Sequence, residues 1–207
     1  MQQELFSETN NTQEVIKNLL PKDGIVEVHH SFFSLTESDA FFEKLLNTIE
    51  WHQDSMKFYG KEVNLPRLTA WYGEKMKKYS YSGINMKVHE WTPELLFIKN
   101  RIEQHSGLQF TSVLLNLYRS GNDSVSWHRD NENVLRVNPV IASVSFGGTR
   151  MFKFRHVDDH KLLRSVELTN GTFVLMKGET QHRWEHTIPK TLKEVTPRIS
   201  LTFRILF

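Results

Sequence analysis

The sequence contains no cysteine, and this absence excludes several classes of protein at once. A disulfide scaffold, a cysteine zinc site, a cysteine-ligated iron–sulfur cluster and a thiol nucleophile all need that residue. Apolar runs are short, such as Leu95-Leu96-Phe97-Ile98, and none can span a membrane. The first seventeen residues have neither the positive start nor the apolar run of a secretory signal. We therefore expect a soluble protein, cytoplasmic in a bacterium or nuclear in a eukaryote.

What is present is typical of one globular domain. The 207 residues are 39% hydrophobic and 24% charged, so the chain can bury a core. The net charge is only +2, so nucleic-acid binding would have to depend on local charge. Residues 55–90 have such charge: Lys57, Lys61 and Arg67 alternate with aromatic residues. Phosphates bind basic side chains and bases stack on aromatic faces, but a solvated hairpin with lysine-protected edges has the same composition.

The periodicity of the apolar residues divides the chain into three parts. Residues 1–24 are polar and predict a loosely ordered arm, and residues 25–109 predict helices and hairpins. The two expected helices cover 37–50, capped by Thr36, and 93–105, capped by Thr92. Residues 110–207 are rich in strand patterns, at 110–119, 140–146, 151–155, 162–168, 172–176 and 198–206. This order indicates a mostly β, α+β fold in one compact domain, an antiparallel barrel or jelly roll with flanking helices.

A candidate metal site begins at Trp127-His128-Arg129-Asp130. Residues i and i+2 of an extended chain project to one side, so His128 and Asp130 can bind one ion. A neutral imidazole and a carboxylate suit Fe(II), and His182 or His186 could supply a third ligand. A surface histidine beside an acid gives the same short pattern by chance.

A candidate anion site lies in the last predicted strand. Alternation places Arg198, Ser200, Thr202 and Arg204 on one face. If this face lines a barrel interior, its two guanidinium groups need a partner, and a small dianion provides one. A sheet with one solvated face is the alternative. Asn116 and Tyr118 share one face of an earlier strand and would hydrogen-bond the same anion.

Together these stretches resemble the AlkB-type Fe(II)/2-oxoglutarate dioxygenases. The resemblance rests on His128-x-Asp130, His186 and the run PRISLTFR, with further matches at Asn116-Leu117-Tyr118, Pro139–Phe146 and Tyr79–Gly83. It extends from about Pro66 to the C-terminus. It implies a double-stranded β-helix, or jelly-roll, catalytic core.

The resemblance also implies a role for each candidate residue. The iron ligands would be His128, Asp130 and His186, while His182 matches no ligand. The 2-oxoglutarate site would comprise Arg198 and Tyr118 at the distal carboxylate, Arg204 and Asn116 at the chelating end, and Thr202. One departure is Ser200, which stands where the family usually has asparagine. The damaged base would contact Glu132, Tyr81 and either Trp71 or Tyr72, and Phe58-Tyr59 would form a finger that fills the gap left by a flipped base.

The implied activity is oxidative dealkylation of bases such as 1-methyladenine and 3-methylcytosine, with release of an aldehyde and succinate. On DNA this activity is direct-reversal repair of alkylation damage. RNA is the alternative nucleic-acid substrate. It requires Fe(II), 2-oxoglutarate as cosubstrate and O2, with ascorbate as reductant in vitro, and we expect a monomer that binds no membrane. The alternatives are an oxygenase for protein or lipid, an inactive nucleic-acid-binding module, and a hydrolytic metal enzyme. The base pocket disfavours a protein or lipid substrate. The intact ligand set disfavours an inactive module, and the paired arginines disfavour a hydrolytic enzyme.

Overall fold

The computed structural model describes residues 14–58, 60–74, 80–81, 84–85 and 87–207. Its helices are α1 (Leu35–Thr48), α2 (Pro93–Ser106) and α3 (Thr180–Arg183), with a 3-10 turn at Asn133–Leu135. Its strands are β1 (Val15–Ile16), β2 (Ile25–His29), β3 (Ser55–Phe58), β4 (Lys61–Asn64), β5 (Leu68–Gly73), β6 (Ser80–Tyr81), β7 (Ile84–Asn85), β8 (Val88–His89), β9 (Ser112–Tyr118), β10 (Val125–His128), β11 (Ile141–Gly147), β12 (Arg150–His156), β13 (Leu163–Leu168), β14 (Thr172–Lys177), β15 (Trp184–Ile188) and β16 (Arg198–Arg204). The mostly β fold with few helices is confirmed.

Two sheets form the body of the protein. The large sheet has the strand order β1-β2-β14-β11-β16-β9-β5-β8, and the small sheet has the order β10-β15-β12-β13. Neighbouring strands run antiparallel except β5 and β8, which are parallel. Two short hairpins, β3–β4 and β6–β7, are separate from both sheets. This arrangement agrees with the expected jelly roll.

The core is divided into two layers by the large sheet. On one face, α1 and α2 pack through residues such as Leu45 and Ile98 against Phe146 and other strand residues. On the other face, the two sheets enclose a second apolar cluster that includes Phe154 and Trp184. No α-helix in the described part of the chain combines the length and the apolar composition needed to cross a bilayer.

The ends of the helices follow from their capping residues. α2 matches the prediction: the Thr92 side chain accepts a hydrogen bond from the Leu95 backbone, and Gly107 ends the helix with a left-handed φ of 71°. α1 begins two residues earlier than predicted. Ser34, rather than Thr36, is its cap, because Ser34 and Glu37 form a reciprocal capping box.

The boundaries of the three predicted parts differ from the structure. Residues 1–13 lie outside the described residues, but 14–24 do not form a loose arm. β1 pairs with β2, Leu20 is buried, and the Asn18 side chain accepts hydrogen bonds from two backbone amides. These few anchors compensate for the polar composition that suggested disorder. The large sheet also includes β2 and β5, so the β core does not begin at residue 110.

All six predicted strands are present, and no end differs from its predicted position by more than two residues. The pattern missed β10 and β15, because both are short and rich in polar residues. These two strands carry the histidines of the site described next.

Candidate metal and anion site

Pairing of β10 with β15 brings two histidines together. The register places His128 opposite His186, and their ring centroids are 4.3 Å apart. Asp130 follows β10, and its side chain lies beside the two histidines, with Oδ2 3.7 Å from Nε2 of His186. One donor atom from each residue lies within 4.8 Å of the other two. His182 is in α3, outside this group, where its Nε2 accepts a hydrogen bond from the Asn138 backbone.

The surroundings keep His186 and Asp130 in the protonation states that bind metal. Burial and then the nearby His128 ring lower the pKa of His186 to about 3, so its imidazole is neutral at neutral pH. Burial alone would raise the pKa of Asp130, but the charge of Arg204 and the imidazoles hold that pKa at about 2. Nδ1 of His128 lies 2.8 Å from the Ser126 carbonyl oxygen. If Nδ1 donates there, Nε2 is left for a metal.

Two buried side chains hold Asp130 in place. Nη2 of Arg204 donates to its Oδ1 at 2.6 Å, and both side chains are 2% exposed. The backbone N–H of Asp130 donates to Oε1 of Gln181 at 2.9 Å, and Gln181 is fully buried. Gln181 could not be predicted from the sequence, because a single glutamine in a short helix has no distinguishing pattern. Such partners orient a ligand without touching the metal.

β16 divides its residues between two environments, as its alternation predicts. The apolar residues Ile199, Leu201 and Phe203 pack in the core beneath the helices. The opposite face lines a cavity of about 50 Å³ beside the His–Asp–His group, through Arg198, Ser200, Thr202 and Arg204. Asn116 and Tyr118 of β9 line the same cavity. The alternative of a solvated face is therefore wrong.

Arg198 is a buried cation with unused hydrogen-bond donors. Its Nη2 donates to Oγ of Ser145 at 2.7 Å and lies 3.4 Å from Oγ of Ser200. Its Nε and Nη1 are buried and have no hydrogen-bond partner among the described residues. Burial lowers the pKa of Arg198 to about 10, which still leaves it charged at neutral pH. Since an uncompensated buried charge is costly, these donors indicate that an anion binds here.

A third arginine adds to the positive charge of the cavity. Arg67 is 5% exposed, and its Nε donates to Oδ1 of Asn116 at 2.7 Å. The composition of residues 55–90 predicts that Arg67 belongs to a surface charge patch, but the structure buries Arg67 at the cavity wall. Its other hydrogen bond goes to the Ser124 carbonyl, so no carboxylate among the described residues neutralises Arg67 or Arg198. The cavity can therefore accept a small dianion.

Glu132 lies near the His–Asp–His group, within electrostatic reach of Arg204, Asp130 and His128. Its Oε2 is buried and has no hydrogen-bond partner among the described residues. Burial raises the pKa of Glu132, with Arg204 opposing and Asp130 reinforcing this effect. The unpartnered Oε2 can accept a hydrogen bond from a bound molecule.

The aromatic candidates separate on the two faces of β5. Trp71 is buried beside Arg204, with its ring 5.8 Å from the guanidinium carbon. Tyr72 projects to the opposite face, where it stacks on His89 at 5.1 Å, so Tyr72 cannot line the same pocket. Tyr59 lies outside the described residues, as do the side chains of Phe58 in β3 and Tyr81 in β6.

Known proteins match this chain over most of its length. The sequence profile of the 2OG-Fe(II) oxygenase superfamily matches residues 25–204. The cattle (Bos taurus) protein named "Alpha-ketoglutarate-dependent dioxygenase alkB homolog 3" is 40% identical over 210 residues, which cover 91% of this chain and 73% of that protein. The human (Homo sapiens) protein named "DNA oxidative demethylase ALKBH2" is 34% identical over 182 residues, with coverages of 83% and 70%. The solved structure of OsALKBH1 superposes with a TM-score of 0.59 at 17% identity, over 87% of this chain and 96% of that one, which shows a shared fold.

Proposed function

The chain belongs to the 2OG-Fe(II) oxygenase superfamily, and from this premise we propose that it removes alkyl groups oxidatively from the bases of DNA. The observation that carries the proposal is the position of the buried cationic cavity directly beside His128, Asp130 and His186. Relatives named as a dioxygenase and as a DNA oxidative demethylase support the choice of substrate.

The three side chains fit an Fe(II) ion. Two neutral imidazoles and one carboxylate are the ligand set of non-haem iron oxygenases, which leaves open positions on the metal. His128, Asp130 and His186 would hold the ion, and Gln181 and Arg204 would orient Asp130. Bound iron and 2-oxoglutarate supply the oxidation, which consumes O2 and releases succinate and carbon dioxide.

The hydrogen-bond donors of the cavity suit the carboxylates of 2-oxoglutarate. Arg198 offers its unused Nε and Nη1 to the distal carboxylate, with Tyr118 alongside. Arg204, Asn116 and Thr202 would act nearer the metal. Ser200 stands where the family usually has asparagine, and its hydroxyl lies close enough to Arg198 to help fix that side chain.

An N-alkylated base is the substrate that best suits the rest of the site. The Glu132 carboxyl group, unpartnered and close to the metal ligands, can hydrogen-bond the edge of a base. Trp71 and Tyr81 would flank the pocket, and Phe58 and Tyr59 would replace the extruded base in a duplex. The products are the unmodified base and an aldehyde. DNA and RNA share this chemistry, and we propose DNA as the substrate and a monomer as the active form, since one chain supplies the whole site.

Succinate release tests this proposal. Purified protein with Fe(II), ascorbate, O2 and 2-oxoglutarate is incubated with an oligonucleotide that contains 1-methyladenine, with the unmodified oligonucleotide, or with neither. We expect the methylated strand alone to stimulate succinate formation strongly. Equal succinate formation in all three samples would show that the protein is an oxygenase for another substrate. If no sample formed succinate, the assignment of 2-oxoglutarate oxygenase activity would be wrong.

A further inference from the structure

A second group of metal-ligating side chains lies at the outer edge of β5. Glu50, His52 and His89 each present one donor atom, and these atoms all lie within 4.8 Å of one another. The group is next to Tyr72. Tyr72 and Trp71 lie on opposite faces of β5, and Trp71 is on the face of the His128–Asp130–His186 site. The two groups are therefore separated by the large sheet.

Backbone pairing fixes the two histidines along the same edge. His52 exchanges two hydrogen bonds of 2.9 Å with Thr69 of β5, and His89 of β8 pairs in register with Tyr72. The two imidazole rings are nearly parallel, with an angle of 22° and centroids 6.1 Å apart. Glu50 enters from the end of α1, where its backbone N–H donates to the Tyr72 hydroxyl at 3.4 Å. Three separate chain segments thus converge.

His89 is the buried member of the group, and its Nδ1 is the ring nitrogen that faces Glu50. Its side chain is only 8% exposed, and its Nε2 is buried without a hydrogen-bond partner among the described residues. Burial lowers the pKa of His89, which favours the neutral form that binds metal.

The distances within the group suit a shared ion. Nδ1 of His89 lies 3.3 Å from Oε1 of Glu50. Two donors bound to one tetrahedral zinc ion at about 2.1 Å are about 3.4 Å apart. Lys87 lies 3.5 Å from the other carboxylate oxygen, and its side chain is 71% exposed, so it does not block Oε1. The exposure of Glu50 and His52 leaves room for water as a further ligand.

We propose that Glu50, His52 and His89 form a second divalent-metal site, of the zinc class. Two imidazoles and one carboxylate are a common zinc ligand set, and Cu(II) prefers the same donors. The ion would join the segment after α1 to the edge strand β8. Because β8 follows the β6–β7 hairpin, metal binding would stabilise the base of that hairpin.

Counting bound zinc in a two-by-two set of variants tests the proposal, since the donors of the His128–Asp130–His186 group also suit zinc. Untagged, metal-free protein is titrated with zinc chloride by calorimetry, and bound metal is counted after dialysis. We expect two equivalents in the wild type, one in His52→Ala, one in His128→Ala, and none in the double variant. His160→Ala, which removes another exposed histidine outside both groups, should keep two.

Thermal unfolding provides a readout that is independent of turnover. In the His128→Ala background, saturating zinc should raise the midpoint temperature, and it should leave His52→Ala/His128→Ala unchanged. Both changed side chains reach solvent, so folding should survive and is checked by circular dichroism. One zinc equivalent retained by the double variant, or none bound by His128→Ala, would overturn the second site without affecting the proposed dealkylase activity.

Discussion

Replacing Arg198 by lysine should weaken 2-oxoglutarate binding strongly while the fold is retained. Lysine keeps the positive charge but loses the planar fork that can bind a carboxylate with two parallel hydrogen bonds. Arg198 has two donors, Nε and Nη1, that no described residue uses, while Nη2 is already bound to Ser145. The substitution therefore removes at least one charge-assisted hydrogen bond to the cosubstrate.

The size of the effect follows from that count. A hydrogen bond to a charged group contributes about 1.5–3 kcal/mol. Losing one corresponds to a Kd for 2-oxoglutarate about 10- to 150-fold higher, because each 1.4 kcal/mol is roughly a factor of ten. Any lowering of the pKa of the buried lysine would add to this loss.

Tryptophan fluorescence of the anaerobic, metal-loaded protein can follow the titration with 2-oxoglutarate. Arg164→Lys is the matched control, since within the described part of the chain the side chain of Arg164 donates only to the neighbouring Leu163 carbonyl. This control should bind 2-oxoglutarate like the wild type. An unchanged titration curve for Arg198→Lys in a folded protein would refute the assignment of the cavity to the cosubstrate.

Four further predictions address the rest of the site and the fold. His128→Ala, Asp130→Ala and His186→Ala should each abolish turnover, whereas His182→Ala should keep most of it. Loss of turnover in His182→Ala together with full turnover in His186→Ala would mean that His182, and not His186, is the third metal ligand. Gln181→Ala should weaken Fe(II) binding about 10- to 100-fold by releasing the Asp130 backbone, and unchanged iron affinity would show that Gln181 does not position Asp130. Phe58→Ala/Tyr59→Ala should slow repair of duplex more than of single strands, since a wedge replaces a base only in a stack, and equal losses would argue against the finger. Burial and the nearby His105 lower the pKa of His29 from 6.5 in the folded protein. As the pH falls, His29 therefore takes up a proton in the unfolded chain before it does so in the folded protein. The free energy of unfolding should consequently decrease as the pH drops below about 6.5. Urea unfolding at several pH values should show a smaller decrease for His29→Gln, and identical curves would contradict the assignment.

Local patterns in the sequence predicted the parts of the site that depend on one strand. Alternation along β16 correctly separated Arg198 and Arg204 from Phe203. The spacing of His128 and Asp130 also predicted that both project to one point. These predictions succeed because the two-residue period of a strand is set by backbone geometry alone.

Features that depend on contacts between distant segments could not be predicted in this way. The spacing left His182 and His186 open as third ligands, and the pairing of β10 with β15 brings His186 into the group. The charge of Arg67 and of its neighbours in the sequence predicts a surface position. Its burial depends on a contact with Asn116, 49 positions away, which no local pattern reveals. Alternation puts Trp71 and Tyr72 on opposite faces of any strand. Which of the two residues faces the site depends on the phase of β5, and its continuous run of buried residues conceals that phase.

Mass spectrometry of a defined oligonucleotide tests the central claim most directly. Duplex and single-stranded DNA with one 1-methyladenine is incubated with protein, Fe(II), ascorbate and 2-oxoglutarate, in parallel with the His128→Ala variant. We predict that the DNA loses the mass of one methylene group, with one succinate formed for each base restored, and that the variant leaves the DNA unchanged. Methylated DNA that remains intact while the wild type converts 2-oxoglutarate to succinate would contradict the claim that this protein dealkylates DNA.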